Sequence, residues 1–230
     1  MNLTNLTPGQ IDRIRAVLFV LCLLPLARLF HAAVEDQLGA NPIEFLQRSL
    51  GTWTFNFLLI TLAVTPLRKA TGWHWLIRLR RMFGLFAFFY ATMHFLNWLV
   101  LDQFFDWRAI VLDIAKRPYV TVGFTAFLLM LPLAATSSNA MVRRLGGRRW
   151  QNLHRTVYAI AILGTVHYWW LVKKDITLPL VYTALVALLL GLRALWRQQE
   201  RQRQLDGAYG TGAPIPQPQV SVVKFMPRRK

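Results

Sequence analysis

The segment WQNLHRTVYAIAILGTVHYWWLV, from Trp150 to Val172, decides the fold class of this chain. It is long and apolar enough to cross a membrane as a helix, since about twenty residues span a hydrocarbon layer of ~30 Å. It also carries His154 near its start and His167 near its end. Imidazoles are costly to bury in such a segment, so the two histidines indicate a functional site, and a haem or metal ligand pair is the first hypothesis.

The composition of the whole chain is that of a membrane protein. Of its 230 residues, 55% are hydrophobic and 16% are charged, and the mean hydropathy is +0.35. The net charge of +17 could suggest nucleic-acid binding, but the Lys and Arg residues occur in short clusters between apolar runs. Such clusters are typical of membrane topology signals. The single cysteine, Cys22, excludes an internal disulfide and a thiolate cluster held by this chain alone.

Six apolar segments have the length of a membrane-crossing helix, which predicts an all-α integral membrane bundle. The first is expected to stay uncleaved, because no Ala-x-Ala pattern follows it. The predicted domains are a cytoplasmic N-terminal segment (1–13), a six-helix domain (14–196) and a disordered, basic, Pro- and Gly-containing cytoplasmic tail (197–230). The six segments run from Ile14 to Val34, Gly51 to Leu67, Arg81 to Leu101, Tyr119 to Ala135, Trp150 to Val172 and Leu178 to Trp196.

The basic clusters predict the orientation of the bundle. All of them fall on one side of a six-helix path, and the positive-inside rule makes that side cytoplasmic. Both termini are therefore expected in the cytoplasm of a bacterial inner-membrane, multi-pass protein. The four clusters are Arg13 and Arg15; Arg68, Lys69, Arg78, Arg80 and Arg81; Arg143, Arg144, Arg148 and Arg149; and Arg193, Arg197, Arg201 and Arg203.

The third segment carries His94, which is predicted to lie at the depth of His167. Both segments begin in the cytoplasm, and at ~1.5 Å per residue His167 lies about 20 Å from His154 along the axis, in the periplasmic half. Two neutral imidazoles at one depth on different helices are what axial ligation of a b-type haem requires. Zinc is disfavoured because carboxylates and thiolates are missing at that depth. A buried, hydrogen-bonded histidine pair is the alternative.

His154 has no histidine partner at its own depth on the third segment, where Arg80 and Arg81 stand instead. Arginine does not usually ligate iron, but it can pair with a haem propionate. His154 could therefore bind a second haem with a weak partner, contact a flavin or quinone head group, or only form a hydrogen bond. On an ideal helix it lies roughly 140° from His167, so a shared face would need a local distortion.

The remaining candidates are assigned to the membrane interfaces. His31 lies at the exit of the first segment, and His74 lies between two tryptophans in a basic loop. Amphipathic rings are favoured at both positions. Trp169 and Trp170 are interpreted as interfacial belt residues, with walls of a haem pocket as the alternative.

Several runs together resemble the haem-binding membrane subunit of the bacterial protein-methionine-sulfoxide reductase system, within the ferric-reductase-like transmembrane group. The runs are NPIEFLQRSLGTW, ITLAVTPLRK, RLRRMFGLFAFFYATMH, LAATS and LGGRRWQNLHRTVY. The resemblance implies haem b, in one copy or two, and FMN, and it carries the haem ligands onto His94, His154 and His167. Relatives in the wider group hold two haems with four histidines; here Arg80 stands where one of the four would be.

The resemblance implies a b-type cytochrome that takes electrons from the quinone pool or from a cytosolic flavin reductase. It passes them to a periplasmic molybdenum-containing reductase that repairs oxidised methionines in periplasmic proteins. No Rossmann-type fingerprint occurs in the sequence, so the reductant is expected from the lipid phase or a separate protein. The alternatives are a membrane ferric or cupric reductase and a proton-coupled transporter with a histidine relay, the latter disfavoured because intramembrane Asp and Glu are missing.

Overall fold

The computed structural model describes residues 6–172 and 174–210, and these residues form helices and connecting loops without a strand. The predicted all-α class is therefore confirmed. A 3₁₀ turn, His74–Arg78, precedes α3, and a π-helical turn, Asn97–Asp102, follows it. The helices are α1 (Pro8–Val34), α2 (Pro42–Thr71), α3 (Arg80–Leu96), α4 (Trp107–Lys116), α5 (Pro118–Ala135), α6 (Asn139–Leu145), α7 (Gly147–His154), α8 (Val157–Leu171) and α9 (Thr177–Gly210).

Local caps set the ends of the first two helices. The Thr7 hydroxyl accepts from the backbone N–H of Gln10, and the Gln10 side chain accepts from the backbone N–H of Thr7. The Asn41 side chain accepts from the backbone N–H of Glu44 at the start of α2. α2 ends at Gly72, whose φ of 74° lies in the left-handed region. Both helices therefore begin earlier than their apolar runs predict.

Two helix pairs dominate the packing of the bundle. α2 packs along α3 and α5 packs along α8, and α3 also contacts α5. The first pair is filled by aromatic rings: the ring of Phe57 in α2 lies 5.6 Å from that of Phe86 and 5.2 Å from that of Tyr90. The contact between α3 and α5 brings the two pairs together, and so places the histidines of α3 and α8 on adjoining helices.

The predicted fifth segment is not one helix. α7 ends at His154 and α8 begins at Val157, and the hydroxyl of Thr156 in the break donates to the carbonyl of Leu153. The two helices also differ in composition, since α7 is polar and basic whereas α8 is apolar. The 15 residues of α8 are about 22 Å long.

Five helices in the described residues are long and apolar enough to cross a membrane: α1, α2, α3 with its π-helical turn, α5 and α9. The six-span count stays a prediction.

The last helix is longer than predicted. α9 continues past Trp196 to Gly210, because the stretch 197–206, RQQERQRQLD, is rich in residues with high helix propensity. The structure therefore corrects the predicted disorder of 197–210, and the remainder of the predicted tail, 211–230, lies outside the described residues.

The chain divides into two compact units, Met1–Leu192 and Arg193–Lys230. The short helices α4 and α6 were not predicted, since neither is long enough to span a membrane.

Tyr90 of α3 joins α1 beside a proline. Its side chain is fully buried, and its hydroxyl donates to the carbonyl of Cys22 at 2.8 Å and accepts from the backbone N–H of Leu26 at 3.2 Å. Pro25 lies within this turn of α1 and has no N–H to donate. The hydroxyl of Tyr90 therefore supports the backbone of α1 where the proline weakens it.

We expect Tyr90→Phe to destabilise the protein by about 1–2 kcal/mol, because two backbone groups in an apolar environment lose a partner. Thermal unfolding of the detergent-purified protein measures the effect as a lower Tm. Tyr119→Phe is the matched control, since the Tyr119 hydroxyl accepts an exposed bond from Arg117 at 3.3 Å. Equal melting temperatures for the two variants would contradict the supporting role of Tyr90.

Candidate functional site

His94 of α3 and His167 of α8 face each other inside the bundle. Their ring centres are 6.2 Å apart and their planes are nearly perpendicular, at 86°. The matching depth expected from the sequence is therefore present in the structure. The two rings lie between α2, which contacts His94, and α5, which contacts His167.

A backbone carbonyl holds each imidazole. Nδ1 of His94 lies 3.0 Å from the carbonyl oxygen of Gln47 in α2, and Nδ1 of His167 lies 2.7 Å from that of Tyr119 in α5. A carbonyl can only accept, so Nδ1 carries the proton and donates in both rings. Each Nε2 is then left with its lone pair, and both histidines are in the neutral form that binds a metal through Nε2.

Glycines make these carbonyls accessible. Gly51 lies four residues after Gln47, and Gly123 lies four residues after Tyr119. In an α-helix the carbonyl of residue i points towards residue i+4, so a side chain there would stand beside the carbonyl. A Cβ at position 51 would lie 3.0 Å from Cε1 of His94, and a Cβ at position 123 would lie 2.7 Å from Nδ1 of His167. α2 and α5 therefore seat the two rings in the same way, with a carbonyl and a glycine one turn later.

The donor set and its spacing fit a haem iron. Metal–nitrogen distances of about 2 Å, with roughly 1 Å more from nitrogen to ring centre, place two axial imidazoles about 6 Å apart. The separation of 6.2 Å between His94 and His167 agrees with this. No cluster of three or more His, Cys, Asp or Glu side chains that could hold a metal ion occurs in residues 6–172 and 174–210. Two imidazoles without a third donor favour an iron whose other ligands come from a porphyrin.

His154 lies in a different environment, at the end of α7. Its Nε2 is 3.0 Å from the hydroxyl oxygen of Thr136, and its ring stacks on that of Trp150 with the centres 3.9 Å apart. Burial lowers the pKa of His154, and the guanidinium charges of Arg80 and Arg81 lower the pKa further. His154 thus lies close enough to Arg80 and Arg81 to be affected by their charges, in an electropositive part of the structure.

The hydrogen bonds of Thr136 determine the tautomer of His154. The hydroxyl of Thr136 donates to the carbonyl of Pro132 at 2.6 Å, so it accepts from Nε2–H of His154. His154 therefore carries its proton on Nε2, the nitrogen that carries no proton in His94 and His167. Ligation of iron through this Nε2 would require the bond to Thr136 to break. The break between α7 and α8 also means that the ideal-helix angle between the two histidines does not apply.

The structure also places the other predicted positions. Arg81 donates to the side chain of Asn139 at 2.5 Å, which ties the start of α3 to α6. His31 and His74 are exposed, as expected for interfacial residues. Nε1 of Trp169 donates to the hydroxyl of Thr183 in α9 at 2.7 Å. Trp170 is 54% exposed.

Sequence reasoning missed the residues that hold the rings. Gln47 and Tyr119 act through backbone carbonyls, and Gly51 and Gly123 act through the absence of a side chain. Gln47 and Gly51 lie in the run NPIEFLQRSLGTW, but their residue types do not indicate a contact with a histidine. One signal was available: Asn97 is a polar residue in an apolar segment, three residues after His94. Polar groups at such positions mark functional sites often enough to be examined.

We expect Gly123→Ala to weaken haem binding more than Gly51→Ala. The new methyl would have to displace the His167 ring from its carbonyl, and overpacking of this kind costs about 1–3 kcal/mol, which is roughly five- to a hundredfold in affinity. Haem absorbance per protein after purification measures the effect. Gly84→Ala is the control, because a Cβ there would make an ordinary contact with Thr61 at 3.7 Å. Full haem content in Gly123→Ala would contradict the seating of His167.

Comparison with known proteins identifies relatives over most of the chain. Residues 50–165 match the family described as ferric reductase like transmembrane component, a range that includes His94 and His154 and ends two residues before His167. The chain is 57% identical over 223 residues to the protein-methionine-sulfoxide reductase heme-binding subunit MsrQ of Azospira oryzae, which covers 96% of this chain and 93% of that protein. The MsrQ proteins of Ralstonia nicotianae and Herminiimonas arsenicoxydans are 56% identical over 193 residues and 54% identical over 199 residues. These two alignments cover 83% and 86% of this chain, and 89% and 91% of the relatives.

Proposed function

This chain belongs to the MsrQ family of heme-binding subunits of protein-methionine-sulfoxide reductases, within the ferric-reductase-like transmembrane group, and from that premise we propose that it is a b-type cytochrome carrying electrons across the bacterial inner membrane. The electrons come from the quinone pool or a cytosolic flavin reductase. They leave to a periplasmic molybdenum-containing reductase that repairs oxidised methionines. The observation that carries the proposal is the facing pair of neutral imidazoles, His94 and His167.

The side chains of His94 and His167 would hold the haem iron through Nε2. Haem b bound in this way supplies a one-electron carrier inside the hydrocarbon layer. The carbonyls of Gln47 and Tyr119 hold the Nδ1 protons, which keeps each imidazole neutral and fixes its rotation.

The electropositive site of His154, Arg80 and Arg81 is the proposed entry side for electrons. It lies where the basic clusters place the cytoplasm, under a topology of six spans with both termini inside. Two guanidinium groups beside a neutral histidine suit a redox group with anionic substituents, such as haem propionates or the phosphate of FMN. A second haem and FMN are both assigned here as proposals, with His154 as the contacting side chain.

We expect His94→Ala and His167→Ala each to abolish the main haem signal, because each removes an axial ligand. Dithionite-reduced minus oxidised absorbance of the purified protein is the measurement. His31→Ala and His74→Ala serve as controls and should keep the full signal, since both side chains are exposed. A full signal in His94→Ala would be decisive against the ligand assignment, and a wild-type protein without any dithionite-dependent signal would refute the cytochrome function.

Reconstitution into liposomes tests the acceptor. With a reduced quinone as donor and a molybdenum-containing methionine-sulfoxide reductase on the opposite side, the wild-type protein should support sulfoxide reduction, and His167→Ala should not. Ferric citrate offered in place of the reductase is the control acceptor. Rapid reduction of ferric citrate without transfer to the reductase would favour a ferric reductase instead.

A further inference from the structure

The connection between α3 and α5 carries large apolar side chains that the bundle leaves exposed. A contiguous group of this kind marks a surface that interacts with a partner or a membrane, whereas single exposed apolar residues need no explanation. The group lies at the end of α3 opposite to the basic residues Arg80 and Arg81. Its members, called the α4 patch, are Phe104 (75% exposed), Phe105 (49%), Trp107 (68%), Val111 (64%) and Leu112 (43%).

The opposite face of α4 is fixed to the bundle. Ile110 and Asp113 are buried. The carboxylate of Asp113 accepts from Nε1 of Trp98 in the π-helical turn at 3.2 Å, and the hydroxyl of Thr121 in α5 donates to the carbonyl of Ile114. Because neighbours on both sides hold the helix, the fold sets the direction in which its exposed face points.

The exposed face of α4 has two edges of different chemistry. Successive residues of a helix are about 100° apart, so Trp107 and Val111 share one edge. Arg108 and Lys116 lie beside that edge, with Leu112 between them. An apolar edge that carries a tryptophan, next to a basic edge, is typical of helices that lie in a membrane interface. There the apolar side chains meet acyl chains and the bases meet lipid phosphates.

The neighbours of α4 in the chain favour lipid over a protein partner. α3 with its π-helical turn and α5 are both long and apolar enough to cross a membrane, and only residues 103–117 join them. α4 must therefore lie near the level where these two helices leave the hydrocarbon layer. Leu96 and Leu101 are exposed at the end of the α3 span, so the apolar exposure continues along the chain into the α4 patch. Aromatic rings are enriched at this level of a membrane.

The backbone before α4 is unusual at the two phenylalanines. Phe104 and Phe105 have φ values of 47° and 59°, in the left-handed region that large side chains rarely adopt. The turn is closed by the backbone N–H of Phe105, which donates to the carbonyl of Leu99 at 3.2 Å, and by that of Asp106, which donates to the carbonyl of Gln103 at 2.8 Å. Backbone of this kind is concentrated at functional sites, which supports a role for the exposed rings.

We propose that α4 is an interfacial helix, with the α4 patch embedded in the boundary between head groups and acyl chains of the adjoining lipid leaflet. The occupant is a phospholipid surface: acyl chains contact the apolar edge, and phosphate groups pair with Arg108 and Lys116. Anchoring of this kind fixes the depth of the start of α5, where the carbonyl of Tyr119 holds His167. The inference goes beyond the proposed electron transfer and does not depend on the group that the histidines bind.

Fluorescent labels at single positions test which edge of α4 meets lipid. Cys22 is the only cysteine of the chain, so Cys22→Ala gives a background in which one new cysteine can be labelled with nitrobenzoxadiazole. Val111→Cys places the label on the apolar edge, and Lys116→Cys places it on the basic edge as the matched control. Both positions are exposed, so neither label disturbs the packing of α4 on the bundle. The full-length protein is reconstituted into liposomes of phosphatidylcholine and phosphatidylglycerol.

The label at position 111 should emit at a shorter wavelength than the label at position 116. Lipids that carry a spin label near the head group should quench the emission from position 111, because an interfacial helix lies about 5–10 Å deep at this boundary. Iodide added to the water should quench the emission from position 116 more strongly.

Hydrogen exchange tests the same inference without a label. Val111→Gln removes an apolar side chain from the patch, and Lys116→Gln is the control with the same new residue. In liposomes, the backbone amides of α4 should exchange roughly fourfold faster in Val111→Gln than in the wild-type protein, the factor that corresponds to one CH₂ group withdrawn from an apolar environment. Glutamine favours helix more than valine does, so a loss of helix propensity could not produce this result. Lys116→Gln should change the rate less.

Three labelling results would overturn the proposal. Quenching at position 111 by iodide and not by the lipid spin label would show that the patch faces water and is open to a protein partner. Shielding of position 111 from both quenchers would show that protein covers the patch, such as a second copy of this chain. Equal lipid quenching at positions 111 and 116 would contradict the assignment of lipid to one edge. Equal exchange rates in Val111→Gln and Lys116→Gln would overturn the proposal independently.

Discussion

The ring nitrogens of a histidine inside an apolar bundle need hydrogen-bond partners, and this requirement organises the centre of the molecule. Water is scarce there, so an unpaired N–H costs far more than at the surface. His94 and His167 meet the requirement at Nδ1 with backbone carbonyls, which are the acceptors that every helix already contains. Each carbonyl has a second lone pair beyond the one used within its helix. The helix can therefore hold an imidazole without giving up its own hydrogen bond.

This solution depends on glycine. The second lone pair of a helical carbonyl is normally covered by the side chain one turn later, and at Gly51 and Gly123 that side chain is missing. α2 and α5 both use the arrangement, one towards α3 and the other towards α8. The same arrangement on two helices brings two imidazoles together, 6.2 Å apart between ring centres. The helix pairs that dominate the packing, α2 with α3 and α5 with α8, are thus also the pairs that hold the two histidines.

The site near His154 has a different hydrogen-bond arrangement. The hydroxyl of Thr136 already donates its proton to the carbonyl of Pro132, so it can only accept a bond from His154. The proton of His154 must therefore lie on Nε2. Trp150 covers the ring, and two arginines stand nearby. The central pair has two unprotonated Nε2 atoms, whereas the Nε2–H of His154 is donated to Thr136 and its surroundings are positively charged. The two regions therefore suit different parts of an electron path, a bound metal at the first and an anionic redox group at the second.

Much of the fold could be predicted from the sequence alone, because the length of an apolar run and the basic residues beside it are local properties of each segment. The helical class and the common depth of His94 and His167 are of this kind, since rise per residue converts sequence position into depth. The family could be recognised from short runs such as LGGRRWQNLHRTVY. The extension of α9 was missed because the apolar pattern ends before the helix propensity does.

Only the tertiary structure decided what holds the histidines. Carbonyls are the same at every residue, so no pattern marks the ones at Gln47 and Tyr119 that a neighbouring helix will use. The orientation of the Gln47 amide likewise depends on Asn97, which is 50 residues away in the chain. The proton position of His154 likewise depends on Thr136, which follows the last residue of α5. The sequence by itself therefore determined which histidines could bind a metal and at what depth they lie. Packing decided the tautomer and the orientation of each imidazole ring, because both follow from contacts between helices.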